Sequence, residues 1–379
     1  MEIIAIVLII MIGIKIEARI FEKHIMPHVI YNCYFSKKEV MQGESLEIIE
    51  TVTNSSKLLL PCLKSEISTS NLLSFGNNAS TVDDKTRSLA SLFTIHGKQK
   101  VTRQWHVDTL RRGAFKIEDI TLVGSDLFGA YHYSDIIHVN SEVVVLPRPI
   151  QIDRYIDRIK DIQGERIVRC FILEDPFIAA GVREYNQGDS MRKIHWGLTA
   201  RQGELMVRNN ETTSKKSPTI LFNNQLYREQ LKEPVRDERL EYGIRVAAGE
   251  MEKTLSDSIP VKLLINGSID DSNESIISLE MWGKDHVHSL FTILADVKET
   301  FTEHFDKFLL HYGQEIQSTE VIIITCYIDD AMIGFARKKR QEGIWVRIYI
   351  MSYEADSRHY EDVEVYYLLD YLQEAGEGA

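Results

Sequence analysis

From residue 217 onward, short apolar runs alternate with amphipathic tracts, and this alternation narrows the choice of fold more than any other feature of the chain. The runs 219–222, 261–265, 321–328 and 345–351 are rich in Ile, Val and Leu and lack a strict polar alternation. Strands buried on both faces have this composition, and in parallel sheets helices cover those faces. Helical periodicity over 226–255, 285–297, 301–311 and 331–341 supplies the covers. Residues 217–379 therefore predict an α/β domain with a parallel, Rossmann-like sheet. Ligands of such sheets lie beyond the carboxyl ends of the strands, which directs attention to the loop after Phe222. The acidic end from Tyr353 reads as a peripheral helix.

The preceding half has a different period. Between residues 27 and 149, short runs of Ile, Val and Thr are broken by turn clusters such as Asn54-Ser55-Ser56, a pattern that predicts an all-β sandwich domain. Phe115 and Ile117, then Ile120 and Leu122, alternate with polar neighbours, and the phase slips once at Asp119 as a bulge would make it. Residues 150–178 carry charges of both signs and read as a connector.

Residues 3–14 contain no charge, while Lys15, Arg19 and Lys23 follow directly. Twelve apolar residues are fewer than the roughly 20 that a spanning helix needs. With flanking side chains snorkelling, residues 1–25 are nevertheless expected to be a membrane anchor, single-pass or inserted. The cationic flank places the bulk of the chain on the cytoplasmic side. Cys33, Cys62, Cys170 and Cys326 are scattered without zinc spacing or a disulfide-dense pattern, which agrees with a reducing compartment. A formal net charge of -12 argues against nucleic acid as the main partner.

Between these halves, residues 179–216 hold the densest charged and aromatic stretch, with Arg183, Tyr185, Gly188, Asp189, Arg192, His195, Trp196, Arg201 and Arg208 inside 28 residues, 181–208. Asp189 or Ser190 reads as the N-cap of a short helix on which Met191, Ile194, His195 and Leu198 share one face, with Gly203 as its stop. The pattern Arg-x-Tyr-x-x-Gly-Asp-x-x-Arg-x-Ile-His-Trp, followed by Thr199-Ala200-Arg201, strongly resembles the signature of domain-of-unknown-function family 58. Arg112-Gly113-Ala114-Phe115 and Asp126-Leu127-Phe128-Gly129 resemble the same family, and read as turns pinned by a ring. The resemblance implies a membrane-anchored protein with a β-rich segment, the signature, and a domain similar to the von Willebrand factor type A fold. It also implies company with a MoxR-type AAA+ ATPase, and brings no settled enzymatic activity.

A type A domain that holds a divalent ion uses Asp-x-Ser-x-Ser after its first strand, because a hard cation wants charged and neutral oxygens on one loop. The corresponding positions here are Asn223, Gln225 and Tyr227, a degenerate loop without the anionic charge; Asp329 and Asp330 are the only acids at a comparable edge. No metal and no other cofactor is expected. Nor is a phosphate cradle, since no Walker A run is present and Gly113, Gly124 and Gly129 are too widely spaced.

Arg183, Arg192 and Arg201 are suited to pairing with carboxylates, so the signature is read as an interaction knot. The function expected is a non-enzymatic, membrane-tethered interaction protein with a protein partner and no evident small-molecule substrate. Two alternatives stand beside it. One is a hydrolase using Asp189 and His195, with Glu184 as a further acid/base group, and the other a metal-dependent adhesion module.

Overall fold

A computed structural model describes residues 2–76, 80–83, 86–153, 155–156, 179–184, 194, 196–210, 217–269, 274–281, 283–353, 360, 363–369 and 371. The architecture is mixed α/β. The chain forms two compact units, Met1–Arg148 with Phe291–Asp296, and Pro149–Leu290 with Val297–Ala379.

The first unit opens with an α-helix, Glu2–Ile20, continued by a π-helical turn Phe21–Ile25 and a 3-10 turn Met26–His28. Lys15, Glu17 and Arg19 interrupt the apolar character of this helix. Among the described residues no helix is long and apolar enough to cross a membrane, which corrects the single-pass span expected of residues 1–25. The helix instead leads into the β core, where Phe21, Ile25 and Met26 are buried with the strand residues. Gly124 makes room for them: a Cβ there would lie 2.9 Å from the Met26 sulfur and 3.2 Å from the Phe21 ring.

Among the described residues twelve strands follow: β1 (Val29–Phe35), β2 (Glu39–Met41), β3 (Ser45–Asn54), β4 (Leu60–Ser70), β5 (Leu73–Ser74), β6 (Ser80–Val82), β7 (Thr86–Ile95), β8 (Gln99–Thr109), β9 (Gly113–Lys116), β10 (Ile120–Ser125), β11 (His132–Ile137) and β12 (Glu142–Leu146). They form sheets of order β1-β3-β8-β5, β11-β10-β4-β7-β6 and β2-β12-β9. The first two are antiparallel, and their inward residues (Ile48, Val52 and Val107 from one, Leu63, Ile67, Leu89 and Ile120 from the other) share one core, a sandwich-like arrangement. The bulge expected at Asp119 is instead a break between β9 and β10, whose partners lie in different sheets.

A carboxylate sits among the apolar side chains of this core. Glu50 on β3 is fully buried, and its carboxylate accepts hydrogen bonds from Tyr31 Oη (2.8 Å), Ser65 Oγ, Ser91 Oγ (2.7 Å) and Trp105 Nε1 (3.3 Å). Tyr31, Glu50 and Trp105 belong to one sheet, Ser65 and Ser91 to the other, so the carboxylate joins the two layers by hydrogen bonds. Burial, followed by the Glu50 charge, pushes the nearby Cys33 thiol up to about 12.

The second unit contains an antiparallel ribbon, β13 (Ala179–Glu184) with β14 (Met206–Asn210), and a six-stranded sheet. The sheet strands are β15 (Pro218–Phe222), β16 (Lys262–Ile265), β17 (Ile276–Ile277), β18 (Glu320–Thr325), β19 (Trp345–Ile350) and β20 (Glu364–Tyr367), in the order β17-β16-β15-β18-β19-β20. All neighbours are parallel except β16 and β17.

Every residue of β15 is buried, as a central strand covered on both sides requires. On one face Leu221, Val321 and Ile323 join Phe305 and Phe308 of helix Phe305–Tyr312 and Met332 and Ala336 of helix Asp330–Gln341. On the other, Gly243 of helix Glu238–Ser256 sits against Phe222, Ile324 and Met351; a Cβ there would lie 2.9 Å from the Phe222 ring.

The helical tract expected over 226–255 begins only at Glu238. Asp237 caps it by accepting from Arg239 N at 2.8 Å, and Pro234 upstream lacks the N–H that a helix interior uses. The tail expected to be a peripheral helix first supplies strand β20, with Tyr366 packed against Tyr349 of β19, and is helical at Leu369 and Tyr371 beyond it; residues 372–379 lie outside the described residues.

Candidate functional site

The carboxyl ends of β15, β16 and β18 converge on a buried set of amides. Asn223, Gln225 and Asn266 are fully buried and Asn224 nearly so. The Asn223 backbone N–H donates to Ile324 O, extending the ladder one residue past the strand. Its side-chain Oδ1 accepts from Gln225 N (3.1 Å) and Asn266 Nδ2 (3.3 Å). Its Nδ2 donates to Thr325 Oγ1 at 3.0 Å, and that hydroxyl donates onward to Tyr327 O. Asn266 Oδ1 accepts from Asn224 N at 2.6 Å, and Asn224 Nδ2 donates to Lys298 O and Thr300 O, both at 2.8 Å.

Gln225 orients the next residue outward. Its Oε1 accepts from Phe305 N at 2.7 Å, which fixes the amide so that Nε2 donates to His304 Nδ1 at 3.0 Å. His304 therefore accepts at Nδ1 and carries its ring proton on Nε2. A buried polar ladder satisfied to this degree is rigid, because every amide that moved would orphan a partner.

Through His304 the ladder adjoins a cleft of about 320 Å³ whose walls also include Arg228, Asp306, Lys307, Tyr327 and Asp329. Gln230, also in the wall, accepts from Leu226 N at 2.7 Å and holds the turn that carries Arg228. Asp329 caps helix Asp330–Gln341 by accepting from Met332 N at 2.9 Å. Burial pushes the Tyr327 hydroxyl up to about 12, with Asp329 and Asp306 acting in the same direction, so the phenol is a hydrogen-bond donor at neutral pH. Arg228, Asp306 and Lys307 are exposed at the rim. The cleft thus presents charges of both signs.

Of the degenerate-loop positions read from sequence, Asn223 and Gln225 are buried behind the cleft with their side-chain oxygens given to protein donors, whereas Tyr227 is 53% exposed. Among the described residues no group of three or more His, Cys, Asp or Glu is gathered to hold a metal ion. Sequence reasoning missed Asn224, Asn266 and His304. A signal for Asn266 was present: it follows the apolar run ending at Ile265 just as Asn223 follows the run ending at Phe222.

The signature residues are placed in part. Arg183 and Glu184 lie on β13, opposite Val207 and Met206 of β14. Trp196 opens the helix Trp196–Gln202 and is 64% exposed, and Arg201 is exposed in its last turn. Met206 N donates to Thr199 Oγ1 at 3.0 Å and Gly203 N to Thr199 O at 2.9 Å, which ends this helix and sets the entry to β14. Of the helical face expected of Met191, Ile194, His195 and Leu198, Leu198 lies within the helix and Ile194 is buried ahead of it, while Met191 lies outside the described residues. Tyr185, Gly188, Asp189, Arg192 and His195 lie outside the described residues, as does most of the 150–178 connector.

The model of the family described as Protein of unknown function DUF58 matches residues 181–232, from β13 through the loop that carries Arg228, and supports that family. No curated protein matches the chain. Solved structures similar to parts of it include the CARDB domain of a Pyrococcus furiosus protein in complex with di-metal ions (10% identity, 31% of this chain and 90% of that one, TM-score 0.20). Others are a cohesin module from a family 33 glycoside hydrolase of Clostridium perfringens (12% identity, 30% and 97%, TM-score 0.20) and the sporulation control protein Spo0M of Bacillus subtilis (15% identity, 40% and 61%, TM-score 0.19). TM-scores this low place no constraint on fold or activity.

Proposed function

We propose, taking the DUF58 match over residues 181–232 as premise, that this chain is a membrane-tethered interaction protein whose second unit is a type A-like domain that receives another protein. The observation that carries the reading is the cleft at the carboxyl edge of the parallel sheet. Its wall residue His304 is held by the buried amide ladder through Gln225, and its rim offers Arg228, Lys307 and Asp306. The partner that the family resemblance favours is a MoxR-type AAA+ ATPase, with assembly or remodelling of other proteins as the shared task. Tethering is supported by the helix Glu2–Ile20, whose apolar residues from Ile3 to Ile12 are exposed, and the cations Lys15, Arg19 and Lys23 just past them favour a cytoplasmic face for the bulk of the chain. An uncharged run of 12 residues is about 18 Å long as a helix, more than half of the ~30 Å hydrocarbon layer, so it inserts without spanning.

The test is a titration of the full chain with the MoxR-type ATPase of the same cell, followed by light scattering or fluorescence anisotropy. Reversing both rim cations, Arg228→Glu with Lys307→Glu, is expected to weaken binding about tenfold or more, with an unchanged melting curve. Equal affinity of the variant would remove the cleft from the interface, and absence of binding by the unaltered chain would remove this partner.

A further inference from the structure

We infer that the Asp126–Gly129 turn is a second lipid-contacting element, which inserts Leu127 and Phe128 into the headgroup boundary beside the N-terminal helix. This rests on the tethering proposed above. The turn is built rigidly: Gly129 N donates to Asp126 O, and Ala130 N donates to Asp126 Oδ1 at 2.8 Å. Two ties hold it to the helix. Glu17 Oε1 accepts from Leu127 N at 3.3 Å, and the ring of Tyr131 meets Phe21 edge-on with centroids 6.2 Å apart. Leu127 and Phe128 themselves are 63% and 66% exposed, large apolar side chains presented on a fixed support.

The occupant follows from how the helix is exposed. Ile6, Val7, Leu8, Ile9, Ile10, Met11 and Ile12 are consecutive and each is between 48% and 67% exposed. Successive residues are turned by about 100°, so these seven cover every side of the helix. A groove in a partner protein covers one stripe of a helix, whereas lipid surrounds all of it. Lys15, Arg19 and Lys23 are exposed just past the apolar run and complement anionic headgroups. Glu17 lies three residues beyond Ile14, about 4.5 Å along the axis, so the turn it holds is level with those cations. At that depth an aromatic and a leucine belong to the interfacial layer.

The experiment is co-sedimentation of the full chain with vesicles of phosphatidylcholine and phosphatidylglycerol. Three forms are compared: the unaltered chain, Leu127→Gln with Phe128→Gln, and Ile6→Gln with Ile9→Gln and Ile10→Gln in the helix. The turn variant is expected to partition about tenfold more weakly with the same melting curve, and the helix variant to lose binding altogether. If the turn variant binds vesicles as well as the unaltered chain while the helix variant does not, the inference about the turn is overturned and the tether stands. If the unaltered chain stays in the supernatant, the tether fails and this inference with it. If vesicle binding is unchanged and binding to a protein partner is lost, the turn belongs to a protein interface and the inference is overturned.

Discussion

Replacing Glu50 tests whether a carboxylate with no cation among its hydrogen-bond partners holds the two β layers together. Glu50→Ala leaves three buried hydroxyls (Tyr31, Ser65 and Ser91) and the Trp105 N–H without their acceptor. Each buried hydroxyl that loses its partner costs about 1 kcal/mol, or ~3 kcal/mol together, and the vacated space adds to this. Removing the charge works the other way, because a buried carboxylate is desolvated at a cost of several kcal/mol that is offset only by these donors. With the donors intact in the native protein, the balance favours a net loss of about 3 kcal/mol. Glu50→Gln keeps one acceptor oxygen but turns an NH2 toward Ser91, which can accept, and Trp105, which cannot; a loss of about 1–2 kcal/mol is expected. Trp105→Phe removes only the 3.3 Å bond and should cost about 1 kcal/mol or less. Urea unfolding followed by far-ultraviolet circular dichroism reads all three. At a slope of ~2 kcal/mol per molar, Glu50→Ala moves the midpoint by ~1.5 M. A shift equivalent to less than about 1 kcal/mol for Glu50→Ala would refute the reasoning, since it would mean that the donors are as well satisfied without the carboxylate.

Two further outcomes follow from packing and burial. Gly243→Ala forces a methyl to 2.9 Å from the Phe222 ring and is expected to destabilise the second unit by about 1–3 kcal/mol, whereas Gly334→Ala, in an exposed helical turn with nothing within 4 Å, should stabilise it by about 0.5–1 kcal/mol; thermal unfolding of both variants checks the difference in sign. Burial pushes the Cys33 and Cys326 thiols up to about 12, which disfavours the thiolate and leaves about one in 10⁴ ionised at pH 8, so iodoacetamide should modify the half-buried Cys62 before Cys33 and Cys326, and reach those two only after unfolding, as peptide mass spectrometry would record.

The parallel strands were legible because burial on both faces leaves its mark in composition: β15, β18 and β19 coincide closely with apolar runs. Edge strands leave no such mark. β17 has two residues, and β20 lies in an acidic stretch where Glu364 and Tyr367 flank Val365 and Tyr366, so neither stood out. The start of helix Glu238–Ser256 was overrun because 226–237 carries helix-compatible residues, and only Pro234 and the cap at Asp237 argue otherwise. At the site, Asn223 and Gln225 were visible as positions in a loop. Their partners Asn266, Thr325 and His304 come from distant segments that only the sheet order brings together, and no local pattern encodes such a ladder.

The strand β17 also fixes what kinds of assembly are open to the second unit. It runs against its neighbour and offers only Ile276 and Ile277 before the chain leaves the sheet. A flank that short gives an incoming strand little backbone to zip onto, so polymerisation by sheet extension is blocked on that side. On this flank, association falls to side chains, where selection can tune it one residue at a time.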